Sequence, residues 1–212
     1  MNINWNGENC FKIIAQPVKD QVNILIDPPG KESGLRSPKL DVDVLLFTNP
    51  EAEKDISNAY FWSAGPGEYD VKEIYMRGVQ SESKPDKAGN AKNNTIYAIE
   101  GEDIKICHLG LVGEKELSKE QLEKIGEVDI LMIPVGGGKS LDAQQAVKIM
   151  SQLEPKIIIP MNYKIPQIKE ELDGVDKFLK ILGIKSVETL PKLSIKKKDI
   201  SSEEVKVIIL QP

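Results

Sequence analysis

Residues 41–58, DVDVLLFTNPEAEKDISN, decide how the chain folds. Val42–Phe47 reads as a buried strand that breaks off at Asn49-Pro50 into a short polar segment, from which a helix is expected to start. In α/β proteins the turn just beyond the C-terminal end of a strand is where chemistry is usually placed. The side chains offered there are Asn49, Glu51, Glu53 and Lys54, and none is a histidine.

Upstream, Asn2–Trp5, Cys10–Ala15 and Val22–Ile26 are short strand-like runs separated by turn residues, the pattern of a sheet built by hairpins. Asp27-Pro28-Pro29-Gly30 ends the third run, because consecutive prolines cannot donate to a ladder, and the polar residues 31–40 follow as a surface loop. Downstream, Tyr60–Ala64 fits a strand or a helix end, Gly65-Pro66-Gly67-Glu68 a turn, and Tyr69–Gly78 one extended run. Ser81–Asn94 is poor in apolar residues and long for a connection; it fits either a mobile flap or a loop lining a site. Thr95–Ile99 and Ile104–Leu109 then form a hairpin.

After Gly113 strands alternate with helices. Ser118 is expected to cap a helix over Lys119–Ile125, and Ser140 a helix over Leu141–Leu153. The second helix carries Ala143, Val147 and Met150 on one face with Ala146, Ile149 and Leu153 beside them, the spacing of a core-facing stripe. Asp129–Pro134 and Lys156–Ile159 are strands, Val175–Leu182 is a helix closed by Gly183, and strands near Lys192–Lys197 and Val205–Leu210 follow. Two face-to-face sheets reconcile the two halves, hairpins dominating one and strand–helix units building much of the other, with helices outside.

A chain of 212 residues supports one large domain or two fused halves. Its net charge of −5 argues against a nucleic-acid surface, and the basic run Lys196–Lys198 is balanced by Asp199, Glu203 and Glu204. No apolar run approaches the roughly 18 residues needed to span a membrane, and the N-terminus lacks the pattern of a signal peptide. Cys10 and Cys107 sit among apolar residues as buried free thiols, so a cytoplasmic location is expected. The only histidine is His108, which excludes a multi-histidine metal centre. Gly137-Gly138-Lys139-Ser140 fails as a phosphate loop, because Ile133 stands where the motif needs its first glycine.

The strings NINWNGENCFKI, ILIDPPG, DVDVLLFTNPEAEKD, GPGEYDVKEIYMRG, KNNTIYAIE, KICHLGLVG, VDILMIPVGGG, LDAQQA and EPKIIIPMNYK follow one another along nearly the whole chain. Their ordered set resembles the metallo-β-lactamase fold. It is most similar to the branch of small zinc-dependent hydrolases related to the ascorbate-6-phosphate lactonases. The resemblance implies a four-layer αββα sandwich of α/β (α+β) class, with residues 1–212 as a single domain of two pseudo-equivalent halves.

It also implies where a metal site would lie. The family holds one or two ions through a His-x-His-x-Asp-His segment, completed by histidines and an aspartate from later strand ends. On that pattern Asn49 and Glu51 stand for the leading histidines, Glu53 for the aspartate and Lys54 for the final histidine. Ser83 falls near a later histidine, Leu111 at the bridging aspartate, Asn162 at the last histidine and Glu8 at one near the N-terminus. Asp27, which supports the site from behind, is retained, and His108 precedes the liganding position without being a ligand.

Zinc favours imidazole, thiolate and carboxylate ligands; amides donate poorly, Leu111 donates nothing, and Lys54 would set a cation where the ion belongs. The expectation is therefore a non-catalytic protein without metal or cofactor. Its partners would be a second copy, a related subunit or a small-molecule ligand, with neither nucleic acid nor membrane. The alternative is a hydrolase of a small phosphorylated or lactone-like substrate. It would use an oxygen-ligated ion or metal-free acid–base groups, with Glu51, Glu53 and His108 as candidates.

Overall fold

The computed structural model describes residues 1–18, 20–30, 33–51, 56, 58–86, 88–200 and 204–212. In the smaller sheet, β1 (Asn2–Trp5), β2 (Phe11–Ala15), β3 (Val22–Ile26), β4 (Val42–Leu46) and β5 (Ala59–Ser63) lie side by side in sequence order. The first three are antiparallel, as the hairpin pattern predicts, whereas β3, β4 and β5 are parallel. Tyr60–Ala64 therefore resolves as a strand. The helix expected after Asn49 falls mainly on residues outside the described set; Pro50 and Glu51 form a turn.

The larger sheet begins with a meander of β6 (Gly67–Val71), β7 (Ile74–Glu82), β8 (Asn93–Gly101) and β9 (Ile104–His108). The expected single run Tyr69–Gly78 is thus a hairpin. Its turn is Lys72-Glu73, both at positive φ (52° and 63°), a pair without the Asn-Gly signature that announces such a turn in sequence. Pairing also extends β7 to Glu82 and β8 back to Asn93, which shortens the presumed long loop to residues 83–92.

From β9 the sheet continues in parallel through β10 (Ile130–Pro134) and β11 (Ile157–Met161). β12 (Glu188–Leu190), which the sequence pattern does not announce, ends the sheet. β14 (Lys206–Leu210) lies between β11 and β12, while the two-residue β13 (Leu193–Ser194) crosses to the smaller sheet beside β1. Hairpins and parallel units are consequently shared by both sheets, not segregated between them.

α1 (Lys119–Ile125) starts at Ser118 as expected, with the reciprocal bonds of Ser118 and Gln121. α2 runs Ala143–Leu153, two residues later than the sequence pattern suggests. Its cap is Asp142, whose carboxylate accepts from the main-chain N–H of Gln144 and Gln145, both at 3.0 Å. Ser140 instead donates to Gly137 O at 3.1 Å. α3 covers Val175–Ile181.

The contacts of α1 and α2 run to β7 and β10 of the larger sheet, and α3 packs on α2. Every residue of β10 and β11 is buried, because α2 covers the face that the opposite sheet does not. Between the sheets lie Trp5, Phe11, Ile24, Val44, Met76, Ile99 and Ile106, among others. On the far face of the smaller sheet Cys10, Leu25, Leu45 and Phe47 are covered, among the described residues, by the loop side chains of Leu40, Ile56 and Ala64. This mixed α/β sandwich has the architecture of the metallo-β-lactamase superfamily.

Candidate functional site

The C-terminal ends of β3, β4, β9, β10 and β11 open on one rim, and the turn between β1 and β2 joins it. Asp27 follows β3 at φ 45°, a left-handed conformation that turns its carboxylate toward the end of β4. One oxygen accepts the Thr48 N–H at 2.7 Å and the other the Thr48 hydroxyl. Part of Asp27 reaches the surface, but its carboxylate is enclosed; burial raises its pKa to about 6, against the pull of the Thr48 bonds, with Glu8 adding to the rise. Asp27 thus buttresses the turn from behind.

Thr48 passes the connection to the other sheet by accepting the Thr95 N–H at 2.7 Å. Beside it the buried Asn94 donates to Ser81 Oγ (2.7 Å) and Leu109 O (3.0 Å) and accepts from Leu111 N (2.8 Å). This one amide fixes the loop after β9. Gly110 is needed there: at φ 60°, an added Cβ would lie 2.4 Å from Asn94 Oδ1 and 2.6 Å from Thr48 Cβ.

His108 is fully buried, edge-on to Phe11 with ring centroids 5.6 Å apart. Its Nδ1 accepts the Gly110 N–H at 3.2 Å, so the ring proton is on Nε2, which donates to Asn9 O at 2.9 Å. Burial lowers its pKa to about 4. A neutral ring with both nitrogens engaged in the wall is a brace between β9 and the β1–β2 turn, and it offers no free nitrogen to a substrate. Cys107 faces the other way and is likewise enclosed.

On the opposite side of the rim Asn162 sits at φ 49°, only 4% exposed, and donates its side-chain amide to Ser140 Oγ at 3.0 Å. Its N–H reaches Glu8 O at 3.1 Å, closing the rim across the two sheets. Gly136 allows this approach, since a Cβ there would meet Asn162 O at 2.3 Å. The half-buried Glu8 carboxyl has a raised pKa, first through burial and then through Glu170, with Lys139 opposing.

Asn49 accepts the Glu51 N–H on its side-chain oxygen at 2.9 Å, and Glu51 is exposed with Lys92 3.5 Å away. Ser83 accepts the Lys92 N–H at 3.1 Å. Lys84 lies 3.7 Å from Asp142. Leu111 is half-buried and enters this scheme through its main chain alone. Glu53 and Lys54 lie outside the described residues.

The rim therefore gathers Glu8, Asp27, Asn49, Glu51, Ser83, Leu111 and Asn162 around the strand ends. Thr48, Asn94 and Ser140, which hold the loops, escape a reading based on metal-ligand types. Asn94 belongs to the polar run Asn93-Asn94-Thr95 that opens β8, and only its burial singles it out. Among the described residues no three of His, Cys, Asp and Glu come together as a metal-binding group. Among the described residues the donors at the expected positions do not fit zinc: the Asn49 oxygen accepts a main-chain N–H, the Asn162 amide nitrogen donates to Ser140, and Leu111 is aliphatic.

Residues 2–162 match the family model of the β-lactamase superfamily domain. A UPF0173 metal-dependent hydrolase of Staphylothermus marinus is 38% identical over 195 residues, covering 76% of this chain and 82% of its own. A UPF0173 protein of Pyrococcus furiosus is 34% identical over 185 residues, covering 77% and 83%. The crystal structure of a metallo-β-lactamase superfamily protein from Thermotoga maritima superposes with a TM-score of 0.77 at 30% identity, covering 99% of this chain and 97% of that one. A metallo hydrolase of Ignicoccus hospitalis, 14% identical with a TM-score of 0.59, shares the fold over 100% of this chain and 95% of its own. The buttressed rim of strand ends and these likenesses coincide, and the chain belongs to the UPF0173 family of the metallo-β-lactamase superfamily.

Proposed function

We propose that this protein is a non-catalytic member of its superfamily, a pseudoenzyme whose single domain acts by binding or assembly. The observation that carries this reading is the internal engagement of the rim. Asn49, Ser83 and Asn162, which stand at expected ligand positions, bond to the main chain or to a neighbouring hydroxyl, and Leu111 presents a side chain without a donor atom. A divalent ion needs lone pairs aimed at one point; those of Asn49 and Ser83 accept main-chain N–H groups, and Asn162 commits its amide nitrogen to Ser140. In this reading Asp27, Thr48, Asn94 and His108 are the scaffold of an older centre, with Glu8 and Glu51 at the edge of what it left.

A second reading draws on the relatives, several of which carry the name metal-dependent hydrolase, and on the raised pKa of Glu8. A carboxyl whose protonated form is favoured by burial is a candidate general acid for a small lactone-like or phosphorylated substrate. Calorimetric titration of purified protein with zinc, magnesium and manganese, together with hydrolysis assays of a lactone and a phosphate monoester on the parent chain and on Glu8→Gln, separates the two: hydrolysis that Glu8→Gln removes favours the second. The pseudoenzyme reading expects no stoichiometric site, and tight binding of one ion per chain overturns it. Replacing Asn49, Glu51 and Asn162 by histidine and Leu111 by aspartate in one chain is expected to create zinc affinity that the parent lacks.

A further inference from the structure

Among the described residues the two sheets leave four outer strands, and they differ in how well they are guarded against pairing. A free strand edge presents unpaired N–H and C=O groups, and natural proteins blunt it with charges, proline, bulges or brevity. β6 carries exposed Glu68 and Asp70, β12 carries Glu188, and β13 has only two residues. β5 reads Ala-Tyr-Phe-Trp-Ser. It has no charge, no proline, no glycine and no bulge.

Ser63 O accepts the Phe47 N–H, so the main-chain groups of Ala59, Phe61 and Ser63 face β4, and those of Tyr60 and Trp62 face outward. Their side chains share the outer face, 76% and 44% exposed, where Trp62 sits level with the buried Leu45. Phe61 turns inward onto Tyr69, with ring centroids 5.1 Å apart.

We infer that β5 is the seam of a two-fold dimer, in which a second copy of this chain adds its own β5 antiparallel and joins the two smaller sheets into one. The strand is complementary to itself. With the axis at Phe61, Tyr60 of each copy lies opposite Trp62 of the other, and each such pair exchanges two main-chain hydrogen bonds, giving four in all. Phe61 meets its own copy as the intervening non-bonded pair. An axis of this kind closes the assembly, because each copy's single open β5 edge is taken up by the other. The charges also suit a copy of the same strand. No ionised side chain of β5 meets its like, and Lys72, held by Asp43 and lying 5.2 Å from the centre of the Tyr60 ring, brings its ammonium toward the aromatic surface of the opposing Trp62. The inference goes beyond the proposed loss of metal and stands without it, since an ion at the strand ends would leave this edge unchanged.

Sedimentation velocity over a concentration series of the full chain tests it, with far-UV circular dichroism confirming the fold of each variant. Wild type is expected to pass reversibly from monomer to dimer. Trp62→Lys sets a charge opposite Tyr60, and Tyr60→Pro removes an outward N–H without removing a bond to β4; each is expected to raise the dimer dissociation constant at least about tenfold. A wild-type chain that stays monomeric at its highest soluble concentration overturns the inference, and so does a dimer that persists with unchanged affinity in either folded variant.

Discussion

His108→Gln is the most informative single change, because two enclosed groups on the same rim oppose each other in pH. The imidazole titrates at about 4 in the folded protein, against 6.5 for an unperturbed histidine. The unfolded chain therefore binds more protons between those values, and the folded state loses stability as pH falls through that window. At 1.36 kcal/mol per pH unit the loss is about 3 kcal/mol. Asp27 has the opposite sign: with a folded pKa of about 6 against 3.8, the folded state binds more protons, and stability falls as pH rises through that range. Discounted for its partial contact with solvent, that effect is about 2 kcal/mol. The two nearly cancel in wild type. Glutamine at position 108 keeps a donor for Asn9 O and loses the acceptor for Gly110 N–H, costing about 1 kcal/mol at pH 7. Urea unfolding at pH 7 and pH 4 should then show the variant gaining about 3 kcal/mol on wild type as the pH is lowered. Because His108 is the only histidine, its ring-proton NMR signal gives an independent reading. A difference in stability that does not vary with pH, or an imidazole that titrates near 6.5 in the folded protein, refutes the reasoning.

The mirror change, Asp27→Asn, should leave the His108 effect unopposed, so that urea midpoints fall more steeply than in wild type between about pH 6 and pH 4. Asn94→Leu removes three bonds made by one buried amide and strands their partners, and thermal unfolding should show a loss of about 3 kcal/mol with the far-UV spectrum retained. Asp142→Ala uncaps α2 and should cost about 1 kcal/mol by urea unfolding, whereas Ser140→Ala leaves the cap intact and should instead free the Asn162 amide.

Where local chemistry suffices, the sequence reads correctly: β1 and β3 match their apolar runs, and the Ser118 cap and α1 fall as expected. The errors have a common cause in long-range pairing. Lys72-Glu73 has no turn signature and adopts two left-handed residues because β6 and β7 must register with each other. Ser140 has the right chemistry for a cap, but the bridge between Gly136 and Asp142 carries the chain past it. The candidate site was legible as a set of positions at strand ends, since the substitutions are visible as residue types. Its bracing was not, because the bonds of Asn94 and His108 join segments far apart in sequence.

The position of β14 in the larger sheet bears on how the molecule is made. β12 pairs only with β14, and β14 must slot beside β11 on its other flank. Until β14 docks, β12 has no strand to accept it, and β11 waits with one edge bare. The two are locked together only when β14 emerges, so this end of the sheet closes after every other strand has been made.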